Sequence, residues 1–223
     1  IMDGNGTDLE TNSFFEGKNS KINLVDNYKA RGIGELYTTC TKNWLNLGVG
    51  GEGKTMGLAP YGNKGKPILD FSKVRFEGII TDYSSILKRQ PFNDILVMND
   101  KKIIEKCLID IPQRKTSDDI MGDYWTRLAF DVQQETERCF IHLGKEIEKR
   151  IKSKNICMAG GVALNCVING KIANENIFDN IWIQPAAGDA GGALGAALLT
   201  YYAMNKNYNK SKKENLDKMK GSF

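Results

Sequence analysis

A chain of 223 residues with 41% hydrophobic and 26% charged side chains can bury one sizeable core, and its composition is globular rather than disordered or fibrous. Its formal net charge of +4 resides in residues 205–223, where six lysines face Glu214 and Asp217, so the remainder is balanced and no nucleic-acid-binding face is implied. No apolar run approaches the roughly 20 residues of a membrane span, the start Ile1-Met2-Asp3 has no signal-peptide character, and five widely spaced cysteines without a CxxC pair read as buried reduced thiols, which together predict a cytoplasmic chain.

In chain order, Ile1-Met2 reads as a strand running into Asp3-Gly4-Asn5-Gly6. Segments Leu9–Phe15 and Lys21–Val25 read as two further strands joined by Glu16-Gly17-Lys18-Asn19, giving a three-strand meander. Ile33, Leu36, Tyr37, Cys40, Trp44 and Leu45 recur at helical spacing, which predicts an amphipathic helix over 33–46. A glycine-rich bend and a short helix near 54–60 follow. Residues 63–118 mix weak signals with polar breaks and read as an insertion or small subdomain. Trp125, Leu128, Ala129, Val132, Thr136, Phe140, Leu143, Ile147 and Ile151 then share one face of the longest helix, within 120–151. Strand 155–158, helix 163–175, strand 181–184 and helix 190–204 complete the folded part, and 205–223 reads as a lysine-rich linker or tail.

Without the insertion the order is strand, strand, strand, helix, strand, helix, strand, helix. That is an α/β topology, one half of the ribonuclease-H-like fold that actin, sugar kinases and heat-shock chaperones build twice around a nucleotide. No internal repeat supplies a second half. The expectation is therefore that residues 1–204 are a fragment, or one part of a split enzyme.

Two glycine strings carry the chemistry. AGGVALNCVINGK (159–171) follows the apolar Ile156-Cys157-Met158, and QPAAGDAGGALGAAL (184–198) follows Ile181-Trp182-Ile183. Each opens a helix, a turn that brings bare backbone amides to a phosphate or carboxylate, or that lets strand and helix pack tightly. Gly48 to Thr55 also satisfies the P-loop pattern GxxxxGK[ST]. A P-loop follows a buried strand, however, whereas Thr41–Leu47 continues a helix and Pro60 arrives too early for a long one.

The string GEGKTMGLAPYG (51–62), together with the two glycine strings, resembles the O-carbamoyltransferases of antibiotic and nodulation-factor biosynthesis, the nodulation protein U-like family. The resemblance covers residues 1–200. It implies a two-stage enzyme in which a YrdC-like domain, C-terminal in the family, makes carbamoyl-adenylate from carbamoyl phosphate and ATP. The transferase domain then passes the carbamoyl group to an acceptor hydroxyl on a small molecule, with iron or another divalent metal beside the adenylate.

Carried over by position, the resemblance assigns Gly160 and Gly161 to the adenosine motif and Asn165 to ribose or phosphate. Gly4, Gly6, Gly188 and Gly191 join them as nucleotide-binding positions. Asp189 resembles a metal ligand, although a carboxylate there is also an ordinary helix cap. Asp3 matches the phosphate-loop acid; the family's acid after the second glycine is replaced by Thr7, ahead of Asp8. Glu52 and Lys54 are the candidate catalytic residues, orienting donor or acceptor and offsetting oxyanion charge. His142, the single histidine, reads as structural. The family's upstream histidine cluster, its opposite half and its YrdC-like domain are expected outside this chain. Two other classes stay open: a kinase-like ATPase using Asp3 and Asp189 around magnesium, and a non-catalytic nucleotide-binding domain.

Overall fold

The computed structural model describes residues 1–4, 10–18, 21–29, 31–87 and 110–204. Strands β1 (Asn12–Lys18) and β2 (Lys21–Tyr28) pair antiparallel, with a register irregularity between Phe14 and Phe15. Strands β5 (Asn155–Met158) and β6 (Asn180–Ile183) pair in parallel. Met2 joins the two pairs. It bridges antiparallel to Asn12 on one side, and its N–H donates to the Ala159 carbonyl at 3.0 Å on the other. The backbone order is thus β2, β1, Met2, β5, β6.

Helix α1 (Ile33–Thr39) runs on through a π-helical turn, Cys40–Trp44, and ends where Asn46 turns left-handed at φ 52°. Ile33, Leu36, Tyr37, Cys40, Trp44 and Leu45 are all buried, so the periodicity marked a real core face. Helix α2 (Glu52–Leu58) tightens into a 3-10 turn, Ala59–Gly62. A helical turn rather than a strand precedes the Gly48 to Thr55 segment, so the P-loop pattern is coincidental.

Helix α3 (Asp123–Ile151) is the spine. It starts after extended Gly122, with Asp123 in its first turn and Lys149 and Arg150 in its last, charges that complement the helix dipole. It stops at Lys152, which is left-handed at φ 54°. Both α1 and α2 pack on it, as does helix α4 (Cys166–Asn174), and the 3-10 turn at 59–62 crosses it closely. A Cβ on Gly62 would stand 1.9 Å from the Thr126 carbonyl oxygen. Helix α5 (Gly191–Met204) follows β6, with no buried residue and with Leu199 and Met204 fully out in solvent.

The spine is buried beyond its apolar face. Asp131, Gln133, Glu135 and Glu137 are buried too, and each has partners. Asp131 Oδ2 accepts the Ile68 and Leu69 N–H groups at 2.6 and 3.2 Å, and its Oδ1 is ion-paired with Arg127. Glu135 accepts from the Tyr83 hydroxyl at 3.1 Å and from Arg138, whose guanidinium also lies over the Phe76 ring. His142 shares a 2.7 Å hydrogen bond with the Gly78 carbonyl and stacks near Phe76, as its structural reading requires.

These contacts change the reading of the insertion. The hairpin of β3 (Arg75–Glu77) and β4 (Ile80–Asp82) is clamped to α3, and Leu69, Ile79, Tyr83, Ile86 and Leu87 enter the main core. The described part of 63–118 is therefore not a separate subdomain. The cysteine expectation also needs correction: Cys40 and Cys139 are buried, but Cys157 and Cys166 are exposed, because strand β5 and the start of α4 each have an open side. Cys107, Gly6 and the 205–223 tail lie outside the described residues. No helix among the described residues is long and apolar enough to cross a membrane.

Candidate functional site

A cleft of about 450 Å³ opens where four stretches of the chain meet. One wall is Asp3-Gly4, and a second is α1 through Gly34, Tyr37 and Thr38. The bend and first turn of α2 give Gly50, Glu52, Gly53 and Met56, and the turn after β5 gives Gly161, Val162, Leu164 and Asn165.

Close backbone approach explains the glycines. Gly34 lets α1 lie against Asp3, since a Cβ there would fall 2.5 Å from the Asp3 carbonyl oxygen. Gly160 sits at φ 98°, ψ 161°, a region only glycine occupies without strain, and a Cβ there would meet the Met2 oxygen at 2.0 Å.

Asp3 ties the walls together. Its Oδ1 accepts from Gly4 N–H at 2.7 Å and its Oδ2 from Gly161 N–H at 3.0 Å, across 158 residues of sequence. The sequence predicts bare amides waiting for a phosphate; the structure shows those amides engaged. Gly160 N–H donates to the Ala187 carbonyl, and Gly191 N–H to Gly188. What these turns give the cleft is room rather than donors.

Asn165 differs from both a surface amide and a free ligand group. It is buried, its Oδ1 caps α4 by accepting Ile168 N–H at 3.2 Å, and its Nδ2 donates to Gln133 at 2.9 Å. Glu52 faces the cleft and accepts from the Thr38 hydroxyl at 3.2 Å. Beneath it the buried Thr41 and Thr55 hydroxyls meet at 2.8 Å and fix α2 against α1.

Asp3, Gly4, Glu52, Gly161 and Asn165 thus converge on one cavity. Lys54, Gly160, Gly188, Asp189 and Gly191 lie outside its lining, with Lys54 and Asp189 exposed. Among the described residues no group of three or more His, Cys, Asp or Glu side chains is placed to hold a metal. Each Asp3 oxygen accepts one backbone N–H, and Asp189 is exposed and outside the cleft lining. Tyr37, which also lines the cleft, escapes sequence reading because its helical spacing marks it as core.

A glycine-walled, carboxylate-bearing cleft in an α/β domain has the concave form of small-molecule sites. The chain belongs to the carbamoyltransferase N-terminus family, whose model matches residues 1–198. It is 35% identical to an uncharacterized protein of Synechocystis sp. over 225 residues, covering all of this chain and 35% of that protein. Nodulation protein NolO of Bradyrhizobium diazoefficiens is 33% identical over 168 residues, 74% of this chain and 27% of that protein. Nodulation protein NolNO of Sinorhizobium fredii is 31% identical over 199 residues, 89% of this chain and 27% of that protein. The chain spans about a quarter to a third of the length of these relatives.

Proposed function

We propose that this chain forms one wall of the transfer site of an O-carbamoyltransferase, which moves a carbamoyl group from carbamoyl-adenylate to an acceptor hydroxyl. The adenylate is made from carbamoyl phosphate and ATP on a YrdC-like domain, and the opposite wall comes from polypeptide outside these residues. One observation carries the reading. The bend of GEGKTMGLAPYG and the turn of AGGVALNCVINGK, two of the strings that bear the resemblance, face each other across a single cleft closed by Asp3.

The strand order β2, β1, Met2, β5, β6 supports a ribonuclease-H-like half as the frame. Asp3, Gly4, Gly161 and Asn165 border the adenylate, and Glu52 orients the hydroxyl whose oxygen attacks the carbamoyl carbon as AMP leaves. A carboxylate held by Thr38 is placed to accept the proton of that hydroxyl. The histidines that would complete a metal site beside Asp3 and Asp189 come, in this reading, from polypeptide outside these residues.

The test is a product assay with the complete polypeptide that carries this chain. Radiolabelled carbamoyl phosphate, ATP and a panel of alcohols are expected to give labelled carbamate with AMP and pyrophosphate. Absence of label from both adenylate and carbamate overturns the assignment.

A further inference from the structure

A second groove, of about 740 Å³, runs along the sheet between β1 and β5. Ile1 and Met2 lie at its mouth and are bonded to both strands. Ser13 N–H donates to the Ile1 carbonyl at 2.9 Å and the Ile1 amine to the Ser13 carbonyl at 2.8 Å, the exchange of an antiparallel pair. On the other side Met2 N–H donates to the Ala159 carbonyl, at the end of β5. Ile1-Met2 is thus a short piece of strand between two strands that both continue past it.

Along the groove the two strands turn backbone groups towards each other. Backbone N–H and C=O groups change sides with each residue of a strand, so the direction of Ser13 is repeated by Phe15 and that of Ala159 by Cys157. The bonds from β6 agree, since Gln184 and Asn180 donate to Met158 and Lys154, the alternate residues. Among the described residues no backbone group bonds the Phe15 or Cys157 N–H across the groove. At one strand's width, about 9–10 Å between β1 and β5, the strands are too far apart to bond each other. The floor is apolar, made by Phe140, Leu143, Ile147 and Ile151 of α3 and flanked by Phe14 and Met158. Two facing rows of peptide groups above an apolar floor match an extended peptide with apolar side chains at alternate positions. Burial also pulls the Ile1 amine down to about 6, with Asp3 opposing in part, so this point favours a neutral peptide N–H over a cation.

We propose that this groove is a strand-binding slot, filled in the complete polypeptide by the residues joined to the Ile1 nitrogen, antiparallel to β1 and parallel to β5. The chain corresponds to 35% of its Synechocystis relative, and a segment joined to Ile1 enters at the mouth in the right direction without a turn. The pairing of Met2 with Asn12 and its bond to Ala159 set the register. The first residue before Ile1 falls between Phe14 and Met158, and the third between Glu16 and Ile156, both over α3, so both are apolar. The second falls between Phe15 and Cys157, on the face where those two side chains are exposed. Nothing in this depends on the carbamoyl chemistry, and its test leaves that reading untouched.

The experiment uses the complete polypeptide and two measurements. In the first, cysteine is placed singly at the first and at the second residue before Ile1, the protein is oxidised with copper phenanthroline, and disulfides are mapped by peptide mass. The second position is expected to bond Cys157, its neighbour on the same face, and the first, turned to α3, is not. A disulfide to Cys157 from the first position, or from neither, overturns the proposal. In the second measurement the four residues before Ile1, as many as β5 contains, are replaced by Gly-Ser-Gly-Ser, and amide hydrogen exchange is followed. Exchange at Phe15 and Cys157 is expected to quicken by about a hundredfold while the α3 amides keep their protection. Unchanged exchange at Phe15 and Cys157 means that another segment, or none, occupies the groove, and overturns the proposal. If the replaced protein does not fold, the disulfide pattern decides alone.

Discussion

Gly160→Ala is expected to be among the most damaging single-methyl additions in the chain. The new Cβ would stand 2.0 Å from the Met2 carbonyl oxygen and 2.8 Å from its nitrogen, and backbone offers no flexible end that could swing aside. The φ of 98° adds about 1–3 kcal/mol of strain for any residue with a side chain. Relief requires Met2 to move, which breaks its hydrogen bond to Ala159 and that of Val162 N–H to the Met2 oxygen, each worth about 1 kcal/mol. Together these give a loss of about 3–5 kcal/mol, or roughly 6–20 °C in Tm for a domain of this size. The assay is thermal unfolding followed by tryptophan fluorescence, with buried Trp44 as a core reporter. Gly53→Ala is the control. It lies exposed within α2 with nothing inside 4 Å of a Cβ, so it should be neutral or stabilising by up to about 1 kcal/mol. Equal melting temperatures for the two variants would refute the close-approach argument.

Asp131→Ala should cost about 3–5 kcal/mol by taking the carboxylate from the half-buried Arg127 guanidinium and leaving the Ile68 and Leu69 N–H groups without an acceptor, which urea unfolding would reveal; a loss under about 1 kcal/mol would show that water replaces the carboxylate. Burial raises the Cys40 thiol and pushes Cys139 up to about 12, so the folded state keeps protons that the unfolded chain releases above pH 9; stability should be full below pH 9 and fall between about pH 9 and 12, with buried Tyr37 and Tyr83 steepening the loss above pH 10. For the same reason iodoacetamide at pH 8 should label Cys157 and Cys166 in the native protein, and Cys40 and Cys139 only after unfolding, as peptide mass mapping would show.

The sequence was readable where a single periodicity decided the structure. The helix over 33–46, strand 155–158 and the helix over 190–204 follow from apolar spacing and glycine punctuation, and the structure places them within a few residues of those bounds. It was misleading along α3. Asp131, Gln133, Glu135 and Glu137 fall off the apolar stripe, and nothing in the spacing announces their burial. They are buried because the 63–87 segment and α4 wrap the spine from other sides, and no local pattern announces wrapping by a distant chain. The site shows the same division. Glycines at strand ends marked where the cleft lies, but not that Asp3 would occupy their amides, since that contact depends on residues 158 positions apart. Tyr37 was read only as core, because helical spacing reports burial and not which core residues also line a cavity.

Met2 also has a consequence for how the molecule comes into being. Among the described residues it alone joins the local β1–β2 hairpin to the β5–β6 pair, so the sheet becomes continuous only when opposite ends of the chain meet. Closing a loop of 158 residues costs about 3–4 kcal/mol more chain entropy than closing the hairpin. The contacts within the hairpin, α3 and the β5–β6 unit have to offset that entropy for the sheet to close. During synthesis no cleft exists until the chain beyond Gly161 has been made, and a folding intermediate with every helix formed would still lack the site.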